Sequence, residues 1–340
     1  MELLVIDNVE AWEKLEKDWD RLLETSIKPY PFLEYWYLRN WWDHLGIGEW
    51  QKDQSQLYVI AGFEGGVLKA AAPLFLSSKE GHPRALRFIG QIEATDYLDF
   101  IASQNDLPTF IGQLLVYLAA NPELGGLDLA NLQNDSPSLL LLKELSQQKK
   151  MTYQARVLQP APSIFLPASW EEFLQSLSKK QRHEVRRKQR NIERDYKTEL
   201  VFVEDDQQID PAMQTFIGMM RNEDAKAAFL TPEAEAFLAG LGRKAHEHRR
   251  LKLAFLTLDG EKTAAYLNFV YENRLWVYNT GWNTEFAKVS PGWVLLVKII
   301  QWAIENGLEE VDLMRGDEEY KYRFGARDRQ VVGVEIRLSS

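Results

Sequence analysis

The apolar positions of this chain recur at two periods, and the changes of period divide it into elements. Across NVEAWEKLEKDWDRLLE and PFLEYWYLRNWWDHLG they return every three to four residues, which predicts helices over 8–24 and 32–45. The second helix is dense in aromatics, which suits core packing or the wall of a ligand site. The following QLYVIAGFEGGVLKAAAPLFLSS reads as two strands around Glu64-Gly65-Gly66, a good hairpin turn. Far downstream, LKLAFLTLDGEKTAAYLNFVYENRLWVYNTGW holds a similar hairpin around Asp259-Gly260 and a third strand after Glu272-Asn273. Slid by 194 residues, one hairpin lies on the other: Leu57 meets Leu251, Gly66 meets Gly260, Ala70-Ala71 meet Ala264-Ala265 and Phe75 meets Phe269. The shared order of helix pair, strand meander, helix and strand predicts two copies of one α/β module, the N-terminal copy degenerate.

Three prolines in QPAPSIFLPAS, residues 159–169, interrupt the pattern. They place the boundary between modules at 1–158 and 159–340. After it, SWEEFLQSLSKKQRHEVRRKQRNIERDYK opens with the capping-box pair Ser169 and Glu172 and continues helical over 170–197. Leu174, Leu177, Val185 and Ile192 give it a thin apolar stripe. Lys179, Lys180, Arg182, Arg186, Arg187, Lys188, Arg190 and Arg194 are assigned to its outer faces. That basic helix is read as a solvated surface, a site for a phosphate-bearing donor or acceptor, or an RNA contact.

The run WVLLVKIIQWAIENG is apolar on most sides, so its helix belongs against a sheet. Asn306-Gly307 ends it, and a short strand is expected within 308–314. The preceding VSPGWVLL supports two readings. Ser290 and Pro291 form an ordinary helix start, and Gly292 additionally lets an anion approach the N–H groups there. Beyond the strand, RGDEEYKYRFGA interleaves charges with Tyr320, Tyr322 and Phe324, as a packed segment lining a cleft would.

Composition narrows the chemistry. The 340 residues contain no cysteine, which excludes disulfides, thiolate nucleophiles and cysteine-ligated metals. Formal net charge is −10, which disfavours broad nucleic-acid binding while leaving a local basic patch able to act. No stretch reaches the roughly 18 apolar residues of a membrane span, and the acidic N-terminus lacks signal-peptide features. A cytoplasmic protein is expected. HExxH, GxSxG, GxGxxG and GxxxxGK[ST] are all missing, so zinc and serine hydrolases, dinucleotide folds and P-loop enzymes have no support. His246 and His248 diverge on a helix and share no metal. What remains is chemistry without a metal or a covalent enzyme intermediate.

Taken in order, PFLEYWYLRNWW, ATDYLDF, PASWEEFLQSLSKKQRHEVRRKQRNIE, YNTGW, SPGWVLL and VDLMRGDEEYKYRFGA resemble the CelD-like branch of the GNAT acyltransferase superfamily, associated with cellulose and exopolysaccharide genes. The resemblance spans nearly the whole chain. It implies α/β architecture with mixed sheets, two GNAT-like folds in tandem as in Fem-type aminoacyltransferases, and acyl transfer from a thioester such as acetyl-CoA to an amine. It also implies that Val289, Ser290, Gly292, Trp293 and Val294 hold the donor's pyrophosphate. Here Ser290-Pro291-Gly292 replaces the usual Q/R-x-x-G-x-G/A loop. Asp312 and Glu319 become candidate bases, Asp312 with a rival role in capping a turn and Glu319 in pairing Arg323. Lys321 is a candidate for a phosphate or the oxyanion. Tyr278 and Tyr320 are candidate proton donors to the thiolate, and Arg186, Arg187, Arg315 and Asp317 candidate substrate contacts. Two other functions stay open: a transferase using aminoacyl-tRNA, and a non-catalytic polysaccharide-assembly module binding sugar through Trp36, Trp41 and Trp42.

Overall fold

Turn chemistry and β-rich runs build the sheets. A computed structural model describes residues 1–46, 55–79, 82–91 and 94–338. The chain forms two units, residues 1–159 with 330–340 and residues 160–329. The fold is mixed α/β. Among the described residues no helix is long and apolar enough to cross a membrane.

The first unit runs β1 (Glu2–Ile6), α1 (Val9–Glu13), α2 (Glu16–Glu24), α3 (Tyr35–His44), β2 (Gln56–Leu57), β3 (Val59–Glu64), β4 (Val67–Ala72), β5 (Leu74–Lys79), β6 (His82–Phe88), β7 (Ile101–Ala102), α4 (Leu107–Ala120), β8 (Leu127–Gln133), α5 (Pro137–Gln148) and most of β9 (Met151–Phe165). One sheet has the order β1-β3-β4-β7. In the other, β8 lies next to β6, followed by β5 and β2. The aromatic stripe of α3 is core: Trp36, Tyr37 and Trp41 are buried, which removes Trp36 and Trp41 as a sugar platform.

The second unit contains α6 (Trp170–Ser176), α7 (Lys179–Asp195), β10 (Thr198–Phe202), α8 (Asp206–Met220), α9 (Asp224–Phe229), α10 (Pro232–Glu247), β11 (Leu251–Leu258), β12 (Glu261–Tyr271), β13 (Arg274–Trp282), α11 (Pro291–Glu305), β14 (Glu310–Asp312) and α12 (Glu319–Tyr322). The final strand, β15 (Arg327–Leu338), starts here and continues into the first unit, where Val331–Ile336 pair with β8. The module boundary expected at 159–340 differs at the last eleven residues, which belong to the first unit and bury Val331, Val332, Val334 and Ile336. Strands of the second unit follow the order β10-β11-β12-β13-β14-β9. On one face α11 packs with α6 and α7 in a core that includes Leu174, Val185, Ile192, Leu256, Leu275, Val294 and Ile300.

The two hairpins share a register. Ala61 pairs with Ala71 and Phe255 with Ala265, and each ladder shifts after the same aligned position, Gly62 and Leu256. They differ past the aligned alanines. β12 continues unbroken to Tyr271, whereas Pro73 divides the first copy into β4 and β5, which join different sheets. Proline has no N–H for the ladder, and here Pro73 falls at the break between the two strands.

Candidate functional site

Two irregularities in the second unit open a cleft. The parallel pair β13–β14 extends only from Arg274/Glu310 to Trp276/Asp312, so β13 runs on without that neighbour. One residue later β13 carries a bulge, where the register against β12 passes from Val277/Asn268 to Asn279/Leu267 and leaves Tyr278 as the extra residue. Bulges re-aim strand residues. Past this one, Thr280, Gly281 and Trp282 line a pocket of about 330 Å³ with Glu223, Tyr266, Ala287, Ser290, Pro291, Gly292, Trp293 and Tyr320.

Gly281 brings one wall in. A Cβ there would stand 2.8 Å from Met219 Cβ and 2.9 Å from the Met220 backbone nitrogen, so only glycine lets the end of α8 approach β13 this closely. The turn after α8 is then stapled down. Asn222 Nδ2 donates to the Trp282 carbonyl at 2.8 Å. Lys226 Nζ donates to the Thr280 carbonyl at 2.7 Å, to Thr280 Oγ1 at 2.9 Å and to Glu223 Oε1 at 2.9 Å. The result is a partly exposed Glu223 carboxylate beside two tyrosines. Burial raises the Tyr320 hydroxyl's pKa, and Glu318 and Glu223 raise it further. Tyr266 is pushed well above the ordinary range by burial, then by Tyr320 and Glu223. Both hydroxyls stay protonated through neutral pH and can donate.

The opposite wall is the start of α11. Ser290 is its N-cap residue but does not cap with its side chain; it sits in the left-handed region at φ 53°, ψ 57°. Its own N–H bonds the Ala287 carbonyl at 3.1 Å, and Val294 N–H bonds the Ser290 carbonyl at 3.2 Å. Pro291 has no N–H. Gly292 and Trp293 therefore contribute the first-turn donors without an intrahelical acceptor. A Cβ built at Gly292 meets nothing within 4 Å, so the corner is open. Val294 is core and Val289 packs against the core, so neither side chain lines the pocket.

The candidates from the C-terminal segment are placed differently from expectation. Lys321 is 3% exposed, and its Nζ donates to the carbonyls of Arg315 at 2.7 Å, Met314 at 3.3 Å and Gly316 at 3.4 Å and pairs with Glu318 at 2.9 Å. It ties down the loop that leads into α12, and all its donor capacity is engaged there. Asp312 is fully buried. It accepts the Met314 N–H at 2.8 Å and the Ser163 hydroxyl at 3.2 Å, and Arg329 stands 3.7 Å away, so it caps the turn after β14. Glu319 is exposed and bonds Arg323 Nη2 at 2.9 Å. Tyr278 packs edge-on against Phe269, 5.3 Å between centroids. Arg315 is half-buried and Asp317 exposed, and neither lines the pocket. Arg186 and Arg187 are exposed on α7, Arg186 standing 3.8 Å from Glu171. The structure thus gathers Ser290, Gly292, Trp293 and Tyr320 and leaves the other candidates outside.

Glu223, Tyr266 and Thr280 are pocket residues that reading the sequence missed. Thr280 and Gly281 lie in YNTGW, a string already singled out, but Glu223 and Tyr266 belong to no motif and come in only through packing. Among the described residues no group of three or more acidic or histidine side chains is placed to hold a metal ion.

Residues 179–322 match the family model of the acetyltransferase (GNAT) domain, a span that contains every residue lining the pocket. A sequence comparison with curated proteins finds no match. In fold the chain is similar to a crystal structure of FemX, with a TM-score of 0.66, 12% identity, and coverage of 100% of this chain and 98% of that one. A second similar fold is the C-terminal domain of a putative lysylphosphatidylglycerol synthetase from Agrobacterium fabrum, with a TM-score of 0.55, 14% identity, and 95% and 92% coverage. A third is a tandem GNAT protein from the clavulanic acid biosynthesis pathway, with a TM-score of 0.51, 12% identity, and complete coverage of both chains.

Proposed function

We propose that the chain is an N-acyltransferase that moves an acyl group, acetyl in the simplest case, from acyl-CoA to a primary amine without a covalent enzyme intermediate. The observation that carries this reading is the open pocket at the start of α11, where two unpaired N–H donors and the helix dipole face space beside a carboxylate and two protonated tyrosines. The diphosphate of the donor binds at Gly292 and Trp293, with the Ser290 hydroxyl at its edge. Glu223, the sole carboxylate among the lining residues, accepts a proton from the amine, replacing Asp312 and Glu319 in that role. The amine nitrogen attacks the thioester carbonyl carbon, a C–N bond forms, the C–S bond breaks, and Tyr320 supplies a proton to the departing thiolate. Tyr266 can donate to the oxygen on which charge develops, the part first assigned to Lys321.

The walls are rich in aromatic rings, with Tyr266, Trp282, Trp293 and Tyr320 around one carboxylate. They suit a cationic amine on a sugar, a peptide or a small molecule. An exopolysaccharide-linked role, as the CelD resemblance implies, puts that amine on a sugar. Use of acyl-CoA places the reaction in the cytoplasm.

Calorimetry against a panel of acyl-CoA esters tests the donor. Wild type should bind at least one, and Gly292→Val should bind it more weakly while remaining folded, because its side chain enters the open corner. A wild-type protein that binds none overturns the reading. Once an acceptor is in hand, Glu223→Gln should lower kcat/KM by about 10²- to 10⁴-fold. The exposed basic residues of α7 favour a second reading, transfer from aminoacyl-tRNA. It requires salt-sensitive tRNA binding that disappears when Arg186 and Arg187 are both made alanine.

A further inference from the structure

Helix α7 is basic along its length, yet one of its cations does not face solvent. Val185 and Ile192 are its buried apolar positions, and Lys188 lies three residues after the first and four before the second, on the same stripe. Its side chain is only 19% exposed. The stem runs inward, and Nζ stands 4.6 Å from the centroid of the Trp293 ring and 3.5 Å from Ser290 Oγ, two residues that line the pocket. Its carboxylate partner, Glu184 Oε1, is 3.7 Å away, and that same oxygen lies 3.7 Å from Arg323 Nη1. Charge-assisted hydrogen bonds are ordinarily about 2.7–2.9 Å, so none of these contacts is a close partner for the ammonium. Burial lowers its pKa, Glu184 opposes that shift, and Arg187 and Arg323 add to it.

We propose that Lys188 is the side chain that holds the donor's phosphate charge at the start of α11. This rests on the acyl-CoA reading above and adds a residue to it. The observations converge on one corner: a desolvated cation with only long contacts, the unpaired N–H groups of Gly292 and Trp293, and a serine hydroxyl within its reach. When a phosphate arrives, Lys188 exchanges its long contact with Glu184 for a short bond to the phosphate oxygen. Glu184 keeps Arg323, so no carboxylate is left without a counter-charge. Arg186 and Arg187, which the sequence marks as candidate substrate contacts, are exposed on the same helix.

The test measures the dissociation constant of the full chain for acetyl-CoA at low and high salt, with a melting curve for each protein. The variants are Lys188→Met, Lys188→Arg and the control Lys143→Met, an exposed residue of α5. Lys188→Met should weaken binding about 10- to 100-fold at low salt, with the gap narrowing at high salt as screening removes the Coulomb part. Lys188→Arg should stay within a fewfold of wild type, and the control should match it. Unchanged affinity in Lys188→Met overturns the assignment. So does an equal loss at both salt concentrations that Lys188→Arg shares, because that pattern reports packing against Trp293. Wild type failing to bind acetyl-CoA and every other acyl-CoA ester of the panel overturns the acyl-CoA reading itself, an outcome separate from the other two.

Discussion

Replacing Gly281 by alanine adds one methyl group at the tightest point of the candidate site. It would stand 2.8 Å from Met219 Cβ, 2.9 Å from the Met220 nitrogen and 3.0 Å from the Met219 carbonyl carbon, the first two closer than a Cβ tolerates and the third at that limit. None of these is the free end of a side chain, so no rotamer change relieves the clash. Either α8 or β13 must move. Overpacking of this kind costs about 1–3 kcal/mol. The second unit comprises residues 160–329. For a unit of that size each kcal/mol moves the midpoint by about 2–4 °C, so a fall of about 2–12 °C is expected. Differential scanning calorimetry of wild type, Gly281→Ala and Gly292→Ala measures it, the last serving as control because a Cβ at Gly292 meets nothing. The same displacement carries the turn that holds Glu223 and Lys226 off Thr280, so acyl-CoA turnover should fall with stability. A Gly281→Ala protein that melts with wild type would refute the argument that this glycine sets the distance between α8 and β13.

Three further outcomes follow from single residues. Burial raises the Asp99 pKa to about 6, against the pull of the Ser136 and Ser138 hydroxyls, the Phe100 N–H and Lys28. Its folded-state value exceeds its unfolded one, so the first unit should lose stability as pH rises from 4 to 6. The loss is about 3 kcal/mol at most. Urea titrations across that range would show it, and Asp99→Asn should flatten the profile. Lys321→Met should destabilise by about 3 kcal/mol or more by stranding three carbonyls and Glu318, and a variant of wild-type stability without turnover would return Lys321 to the chemistry. Ser290→Gly should be neutral or stabilising by up to about 1 kcal/mol in chemical denaturation, since glycine adopts positive φ without strain; a clear loss would show the hydroxyl to be structural.

Periodicity carried the architecture further than it carried the site. Both hairpins, the greasy helix α11 and the short strand after it are visible in the alternation of residue types and in turn chemistry, because each obeys a local rule. The 194-residue offset holds down to the position of the register shift. Pro73 could have announced the split of β4 from β5 had its missing N–H been weighed against the length of its aligned partner. Lys321 misled for a simple reason: lysine type and neighbouring aromatics look alike whether Nζ faces a substrate or three carbonyls. Lys188 was counted among solvent-facing cations, although its spacing from Val185 and Ile192 puts it on the buried stripe. Glu223 had no local signature at all, since its place depends on Gly281, nearly sixty residues later.

The pairing of Val331–Ile336 with β8 also has a consequence for synthesis. On the ribosome, every segment of the second unit has emerged before the first unit receives its last strand. The earlier-made half waits with the β8 edge uncovered while the later-made half completes, an exposure of the kind that favours aggregation or chaperone binding of nascent chains in general. Loss of Val331–Ile336 would strike the half of the protein translated first.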